Sequence, residues 1–212
     1  MISKAVTEQM QKSSWIRKMF EEGNRLKNIY GAENVFDFSL GNPDLEPPFE
    51  VIEALKELAC SKEPGLHRYM NNAGYDSTRE KIASVLEDES GIKLTKNNIV
   101  MTVGAAGALN VTLKTLLDPG DEVIVLAPFF VEYLTYIRNH GGIPVIVECN
   151  QETMQPDTDK IRQAITERTK AIIINSPNNP SGAVYSTEVL TQLQNLLDTY
   201  KNSIYVISDE PY

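Results

Sequence analysis

The chain has 212 residues, of which 42% are hydrophobic and 23% are charged, and this balance is typical of a globular protein that buries a sizeable core. Its 20 basic and 29 acidic side chains give a formal net charge of -9, which makes nucleic acid a poor candidate partner. Cys60 and Cys149 fit no metal-ligand spacing, so we expect reduced thiols, a cytoplasmic location and no bound metal.

The part of the chain before Asn98 is predicted to form a helical N-terminal arm. Its first residues lack the apolar run of a secretory signal peptide, and no stretch of the sequence is apolar over a length that could cross a bilayer. A proline-rich passage at residues 41–48 interrupts the helical pattern. Three helices are predicted, over residues 8–30, 50–59 and 77–89.

After Asn98 the sequence alternates between short β-branched runs and segments of helical periodicity, which is typical of consecutive βα units. Five near-continuous apolar runs predict strands covered by helices on both faces, at residues 99–103, 122–127, 143–147, 170–175 and 203–208. Helices are predicted between them over residues 105–117, from near Asp157, and from an N-cap at Ser186. The sequence therefore predicts an α/β domain with a mostly parallel sheet.

Small residues join the first predicted strand to the helix that follows it, in the segment 102–109. Backbone amides of such a turn can approach a ligand closely, and the helix dipole favours an anion there. The segment lacks both the Gly-Lys-Ser/Thr of a Walker A loop and the three-glycine dinucleotide fingerprint, so ATP and NAD binding are disfavoured. Close packing of the helix on the sheet would explain the same residues without any ligand.

Polar and aromatic motifs lie at the carboxyl ends of the predicted strands, where an open α/β sheet binds ligands, and upstream of them. They occur in the order 69–74, 77–79, 127–133, 175–182 and 208–212. This order closely resembles that of class I/II aminotransferases, the pyridoxal-phosphate enzymes of fold type I, from the loop at Gly41 to Tyr212. The resemblance implies an N-terminal arm and substrate-loop segment at residues 1–48, and a pyridoxal-phosphate-binding large domain at residues 49–212.

The resemblance also implies roles for residues around the cofactor ring. Asp209 matches the carboxylate that pairs with the protonated pyridine nitrogen and so makes the ring an electron sink. Asn179 and Tyr212 match the pair that hydrogen-bonds the phenolic oxygen, and Asn179 is also a candidate substrate contact. Phe130 matches the aromatic residue that stacks on the pyridine ring. Without a cofactor, the same residues would be a helix cap, turn formers and core aromatics.

The phosphate and substrate contacts of the family have matches as well. Gly104, Ala105 and Ala106 match the turn whose backbone amides hold the phosphate. Tyr69 matches a tyrosine that reaches the phosphate of the neighbouring subunit's cofactor, which implies a homodimer. Gly41 matches the backbone contact to the substrate α-carboxylate, although a Gly-Asn-Pro turn would look the same without substrate.

The Schiff-base lysine of the family is expected beyond Tyr212, so we assign no catalytic residue within this chain. We accordingly expect the large domain to be incomplete at its C-terminus. Because the family pairs the first strand with one supplied from after that lysine, the resemblance predicts a gap in the sheet. The strands at residues 99–103 and 170–175 would then lack neighbours.

The implied function is that of an aminotransferase, which moves an amino group between an amino acid and a 2-oxo acid, and we expect this chain alone to be inactive. A pyridoxal-phosphate-dependent β-elimination lyase of the same fold stays open, because deprotonation at Cα is common to both reactions. A non-catalytic module that binds pyridoxal phosphate or phosphate also stays open. A Rossmann-like nucleotide binder is disfavoured by the missing glycine fingerprint.

Overall fold

The structure is a computed structural model that describes residues 2–4, 6–7, 14–38, 41, 45–200 and 203–212. The chain divides into two compact units, Met1–His67 and Arg68–Tyr212. The predicted boundary after residue 48 separates functional segments rather than packing units, and it stays a prediction. Among the described residues, no helix combines the length and apolar character needed to cross a membrane.

The first unit contains helices α1 (Ser14–Tyr30) and α2 (Phe49–Cys60), with a short 3-10 helix at Ala32–Asn34. The ammonium group of Lys27 donates to Oδ2 of Asp37 at 2.8 Å and so ties α1 to the segment that follows it. The helix predicted over residues 8–30 is confirmed from Ser14 onward, and residues 8–13 lie outside the described residues. The helix predicted at residues 50–59 is confirmed as α2.

The second unit alternates helices and strands. In chain order its elements are α3 (Asp76–Ser90), a 3-10 helix (Lys96–Asn98), α4 (Gly104–Leu116), β1 (Glu122–Ala127), α5 (Glu132–Asn139), β2 (Ile143–Glu148), α6 (Thr158–Ala164), β3 (Thr169–Asn175), α7 (Thr187–Leu197) and β4 (Tyr205–Asp209). The side chain of Asp157 caps α6, and the hydroxyl of Ser186 caps α7 by accepting from the backbone N–H of Val189. The predicted helix starts there are therefore confirmed, whereas α5 was not predicted.

The four described strands form one parallel sheet in the order β2-β1-β3-β4. In the register of the pairs, Val125 lies opposite Ile146, and Ile172 lies opposite Val206. Every connection between successive strands runs through a helix, as parallel pairing requires. This confirms the predicted α/β class with a parallel sheet.

The central strands β1 and β3 are buried on both faces of the sheet. Successive residues of a strand point to opposite sides and so enter two different clusters. Val123 and Val125 of β1 pack in a cluster with side chains of α4 and α5. Ile124 and Leu126 pack in a second cluster with side chains of α6 and α7. The prediction that helices cover both faces is therefore confirmed for β1 and β3, whereas β2 and β4 are largely exposed.

The strand predicted at residues 99–103 is wrong. In the part of the chain that the structure describes, these residues pair with no strand, and the backbone N–H of Met101 donates instead to the carbonyl of Ala73 at 2.9 Å. Their β-branched composition favours extended backbone, but a strand also needs a neighbour with free ladder groups. The predicted isolation of residues 170–175 is wrong as well, because β3 has β1 on one side and β4 on the other.

An ion pair between Glu122 and Arg168 lies at the amino end of the sheet. Glu122 is buried, and its carboxylate accepts from Oγ1 of Thr166 at 2.6 Å and from Nη2 of Arg168 at 2.8 Å. A buried carboxylate is costly unless it is paired and hydrogen-bonded, and these two donors meet that requirement. This end of the sheet is therefore occupied by structural contacts.

The outer edge of β4 leads to a prediction about association. Tyr205 and Val206 are half exposed on the last strand of the described sheet, and a half-exposed apolar edge is a template for intermolecular pairing. We expect the isolated chain to self-associate at micromolar concentration and Val206→Lys to reduce that association, because a charge on an edge strand opposes pairing. Light scattering measures the oligomeric state.

Val184→Lys is the matched control, since Val184 is exposed but lies outside the sheet. It should leave the association unchanged. A monodisperse wild-type chain would show that the β4 edge is not a template.

Candidate functional site

The candidate site lies at the carboxyl ends of β1 and β3, where the direction of the sheet connections reverses. From β1 the chain crosses to β2 on one side, and from β3 it crosses to β4 on the other side. In open α/β sheets this switch point leaves a crevice in which ligands bind. The segments that leave β1 and β3 here contain the predicted residues Phe130 and Asn179.

Asp209 is the last residue of β4, and its carboxylate is held by a tyrosine that sequence reasoning missed. The hydroxyl of Tyr133 donates to Oδ2 of Asp209 at 2.5 Å. Tyr133 is only 2% exposed, and burial followed by the contact with Asp209 raises the pKa of its hydroxyl far above the ordinary value. The hydroxyl therefore stays protonated, and it fixes one oxygen of a half-buried carboxylate whose other oxygen can serve a ligand.

Two buried asparagines fix the loop that follows β3. Nδ2 of Asn175 donates to the backbone carbonyl of Asp209 at 2.8 Å, while its Oδ1 accepts from the backbone N–H of Asn179 at 2.7 Å. Asn178 donates to the carbonyl of Pro128 at 3.2 Å and accepts from both the backbone N–H and the hydroxyl of Ser181. These bonds connect the ends of three strands, so the backbone of Asn179 has a defined position beside Asp209.

Phe130 presents an aromatic ring at the same place. Its ring contacts that of Tyr133 edge to face, with centroids 5.7 Å apart and an angle of 82° between the planes. This is a favoured geometry for an aromatic pair. Phe130 keeps 37% of its surface exposed, so part of the ring is free to cover a planar ligand.

The turn at Gly104 has the features of an anion site at the start of α4. Gly104 has a φ of +67°, which favours glycine, and a side chain built on it would meet open space. Val103, the N-cap residue, provides no side-chain cap. The backbone N–H of Gly104 donates to the carbonyl of Thr102 at 3.1 Å, so the first-turn amides left for a ligand are those of the residues that follow it, Ala105 and Ala106. Free amides at a helix N-terminus suit a phosphate or a carboxylate. Gly104, Ala105 and Ala106 are all exposed.

The remaining predicted residues are not brought into this contact network. Tyr69 is fully exposed, and its side chain forms no hydrogen bond or ring contact with any residue that the structure describes. Tyr212 is exposed but close enough to Tyr133 to contribute to its raised pKa. Gly41 belongs to the first unit, and its neighbours 42–44 lie outside the described residues. The roles of these three residues stay predictions, as do those assigned to Asp209, Asn179, Phe130 and the turn at Gly104.

The described side chains fit pyridoxal phosphate in kind. A carboxylate suits its pyridine nitrogen, an exposed aromatic ring suits its face, and an uncapped helix start suits its phosphate. Within the described ranges, no group of three or more His, Cys, Asp or Glu is placed to hold a metal ion. The chemistry available at the crevice is therefore that of binding a planar, anionic heteroaromatic ring.

Tyr133 lies within the motif at residues 127–133, but its contact could not be predicted because it is 76 positions from Asp209 in sequence. Asn175 and Asn178 lie in the motif at residues 175–182, and the motif alone predicts no supporting role for them. The available signal was their position at the end of a buried strand, since a buried amide must find hydrogen-bond partners.

The family model described as "Aminotransferase class I and II" matches residues 33–212. An aspartate/prephenate aminotransferase of Thermus thermophilus is 42% identical over 173 residues, which is 81% of this chain and 44% of that protein. A probable aspartate aminotransferase of Methanocaldococcus jannaschii is 33% identical over 201 residues, which is 95% of this chain and 50% of that protein. The chain thus spans about half the length of these relatives.

Solved structures have the same fold. A crystal structure of an aminotransferase from Eubacterium rectale superposes with a TM-score of 0.93 at 38% identity, covering 100% of this chain and 55% of that one. The aspartate aminotransferase of Thermus thermophilus with maleate superposes with a TM-score of 0.82 at 37% identity, covering 100% of this chain and 54% of that one. The fold likeness therefore extends over the whole chain.

Proposed function

Because the chain belongs to the class I and II aminotransferase family, we propose that it is the cofactor-binding part of a pyridoxal-phosphate-dependent aminotransferase. The enzyme would move an amino group between an amino acid and a 2-oxo acid. The observation that carries the proposal is the hydrogen bond from Tyr133 to Asp209, because it fixes a carboxylate beside the exposed ring of Phe130 at the switch point of the sheet.

Each group in the crevice has a distinct task. Bound pyridoxal phosphate supplies an electron sink for the negative charge that develops at Cα of the amino acid. Asp209 would hold the proton on the pyridine nitrogen through its opposite charge. Phe130 would cover one face of the ring and exclude water from it, while the turn at Gly104 would bind the phosphate. Asn179 and Tyr212 would hydrogen-bond the phenolic oxygen.

The partners and location are part of the same proposal. Two relatives carry aspartate in their names, so aspartate is the first amino acid to assay, with a 2-oxo acid as acceptor. The full exposure of Tyr69 suits a homodimer in which this residue reaches the neighbouring subunit's phosphate site. The free thiols Cys60 and Cys149 support a cytoplasmic location. Gly41 would contact the substrate carboxylate, and the Schiff-base lysine would follow Tyr212.

The proposal is tested first by binding. Pyridoxamine 5′-phosphate is a suitable probe because it has the ring and phosphate of the cofactor but no aldehyde to react with surface lysines. We expect this chain to bind it about 10-fold or more tightly than pyridoxamine, because charge-assisted hydrogen bonds to the phosphate are lost with the smaller probe. Fluorescence titration of each probe measures the two dissociation constants.

A charge placed at the phosphate turn provides a matched pair of variants. Ala105→Glu should abolish the preference for the phosphorylated probe, because a carboxylate at the start of α4 repels an anion. Ala54→Glu adds the same charge to an exposed position of α2 and should leave the preference unchanged. Equal binding of the two probes by the wild-type chain would reject the proposal.

The rival functions differ in their products. With aspartate and a 2-oxo acid, the protein that contains the predicted lysine should form a new amino acid without releasing ammonia. A β-elimination lyase would release ammonia from a substrate with a leaving group at Cβ. A binding module would show the probe preference with neither reaction.

A further inference from the structure

The extended segment 99–103 is held in place by side-chain and loop contacts instead of by a sheet. It connects the 3-10 helix at Lys96–Asn98 to α4 and ends at Gly104, and it pairs with no strand among the described residues. Neither of the two core clusters includes a residue of this segment. Its position must therefore depend on a few local contacts.

Arg79 on α3 supplies side-chain hydrogen bonds that hold the start of this segment. Its side chain is buried, with 6% of the residue exposed, and its guanidinium donates to the carbonyl of Ile99 at 2.9 Å and to that of Lys96 at 2.6 Å. A third nitrogen donates to Oδ1 of Asp76 at 3.2 Å. A guanidinium with donors in a fixed planar arrangement can bind two carbonyls at once, which an ammonium group cannot do with the same geometry.

A turn that contains Ala73 and Gly74 also contacts the segment 99–103. The backbone N–H of Met101 donates to the carbonyl of Ala73. At Gly74, with a φ of +103°, a side chain would come within 2.5 Å of Cγ of Met101, so the turn packs tightly against the segment. Tyr69 lies only a few residues before this turn. The loop that contains Tyr69 is therefore connected, through the turn, to the backbone that leads into Gly104.

We propose that Arg79 is a positioning residue for the phosphate-binding turn, acting through the carbonyls of Ile99 and Lys96. The proposal rests on the function proposed above, because it takes the turn at Gly104 to be the phosphate site. Arg79 itself does not touch the ligand. It fixes the backbone five residues before Gly104, and so it sets where the free amides of α4 point.

Binding of two probes separates this role from a contribution to overall stability. Arg79→Lys keeps the positive charge but cannot hold both carbonyls in the same geometry. We expect the preference for pyridoxamine 5′-phosphate over pyridoxamine to fall about 10-fold, because the turn contacts only the phosphate. Hydrogen exchange of the amides in residues 99–107 should accelerate, while exchange in β1 and β3 should not.

Arg168→Lys is the matched control, since Arg168 is ion-paired with Glu122 at the opposite end of the sheet. It should leave the preference unchanged. A second variant, Arg79→Gln, removes the charge and should lower the preference at least as much as Arg79→Lys does.

The possible outcomes of these binding and unfolding experiments lead to different conclusions. A wild-type chain that binds both probes equally rejects the proposed function, whatever Arg79 does. A wild-type chain that prefers the phosphorylated probe, together with an unchanged preference in both Arg79 variants, overturns the positioning role. Loss of a cooperative thermal transition in both Arg79 variants also overturns it, because Arg79 would then serve the stability of the whole unit.

Discussion

Replacing Asp209 with alanine is expected to lower the rate of transamination by about 100-fold or more, the usual effect of removing a preorganised electrostatic contact from an active site. The variant should still bind pyridoxal phosphate, because the turn at Gly104 and the ring of Phe130 are untouched. Without the carboxylate, the pyridine nitrogen loses its proton more easily and the ring becomes a weaker electron sink. Steady-state kinetics of the protein that contains the predicted lysine measure the effect.

Two further variants serve as comparisons for Asp209→Ala. Tyr133→Phe removes the hydroxyl that holds Oδ2 of Asp209 but leaves the carboxylate, so its loss of rate should be smaller. Asp198→Ala changes an exposed aspartate after α7 and should leave the rate unchanged. Turnover near the wild-type level in Asp209→Ala would disprove the role assigned to this carboxylate.

Ile172→Ala is expected to lower the free energy of unfolding by about 3 kcal/mol, within the range for truncating a buried isoleucine. Ile172 lies in the central strand β3, has no exposed surface, and belongs to the same buried cluster as Ile124 and Ile161. The truncation removes apolar contacts on one face of the sheet and leaves a cavity. Urea unfolding followed by circular dichroism measures the change.

Ile146→Ala is the control for this loss of stability, because Ile146 is half exposed on the edge strand β2. Its cost should stay below about 1 kcal/mol. An Ile172→Ala variant as stable as the control would mean that the cluster around Ile172 does not contribute to stability as its burial indicates.

Four of the five predicted strands are confirmed to within two residues, because each is a near-continuous apolar run that includes β-branched residues. Only β1 and β3 are also buried on both faces, as such runs led us to expect for every strand. Residues 99–103 contain such a run too. Strand pairing, however, also depends on which other segment lies next to them in the fold, and a local sequence pattern does not contain that information. The helix α5 was missed because it spans only two turns and its buried face consists of Tyr133 and Ile137, too few positions to establish a period.

For the candidate site too, some residues could be predicted from the sequence and others only from the fold. The motif resemblance predicted ligand contacts at Phe130, Asn179 and Asp209, and these roles stay predictions. The fold connects the three residues through Tyr133 and Asn175. The resemblance could name the residues because their types and order along the chain suffice for that. It could not name the supporting residues, because hydrogen bonds between distant segments become visible only when the topology is known.

Tyr133 packs in the apolar core and also holds the carboxylate of Asp209, so evolutionary changes in the core can reach the candidate site. Its ring packs in the apolar cluster with Ile137, one turn further along α5, while its hydroxyl binds Asp209. A substitution that alters the volume of that cluster would shift the hydroxyl without changing any residue that touches a ligand. Selection could thus adjust the position of the Asp209 carboxylate by small steps from inside the domain, and mutant libraries aimed at the candidate site should include Leu113 and Ile137 as well as the crevice.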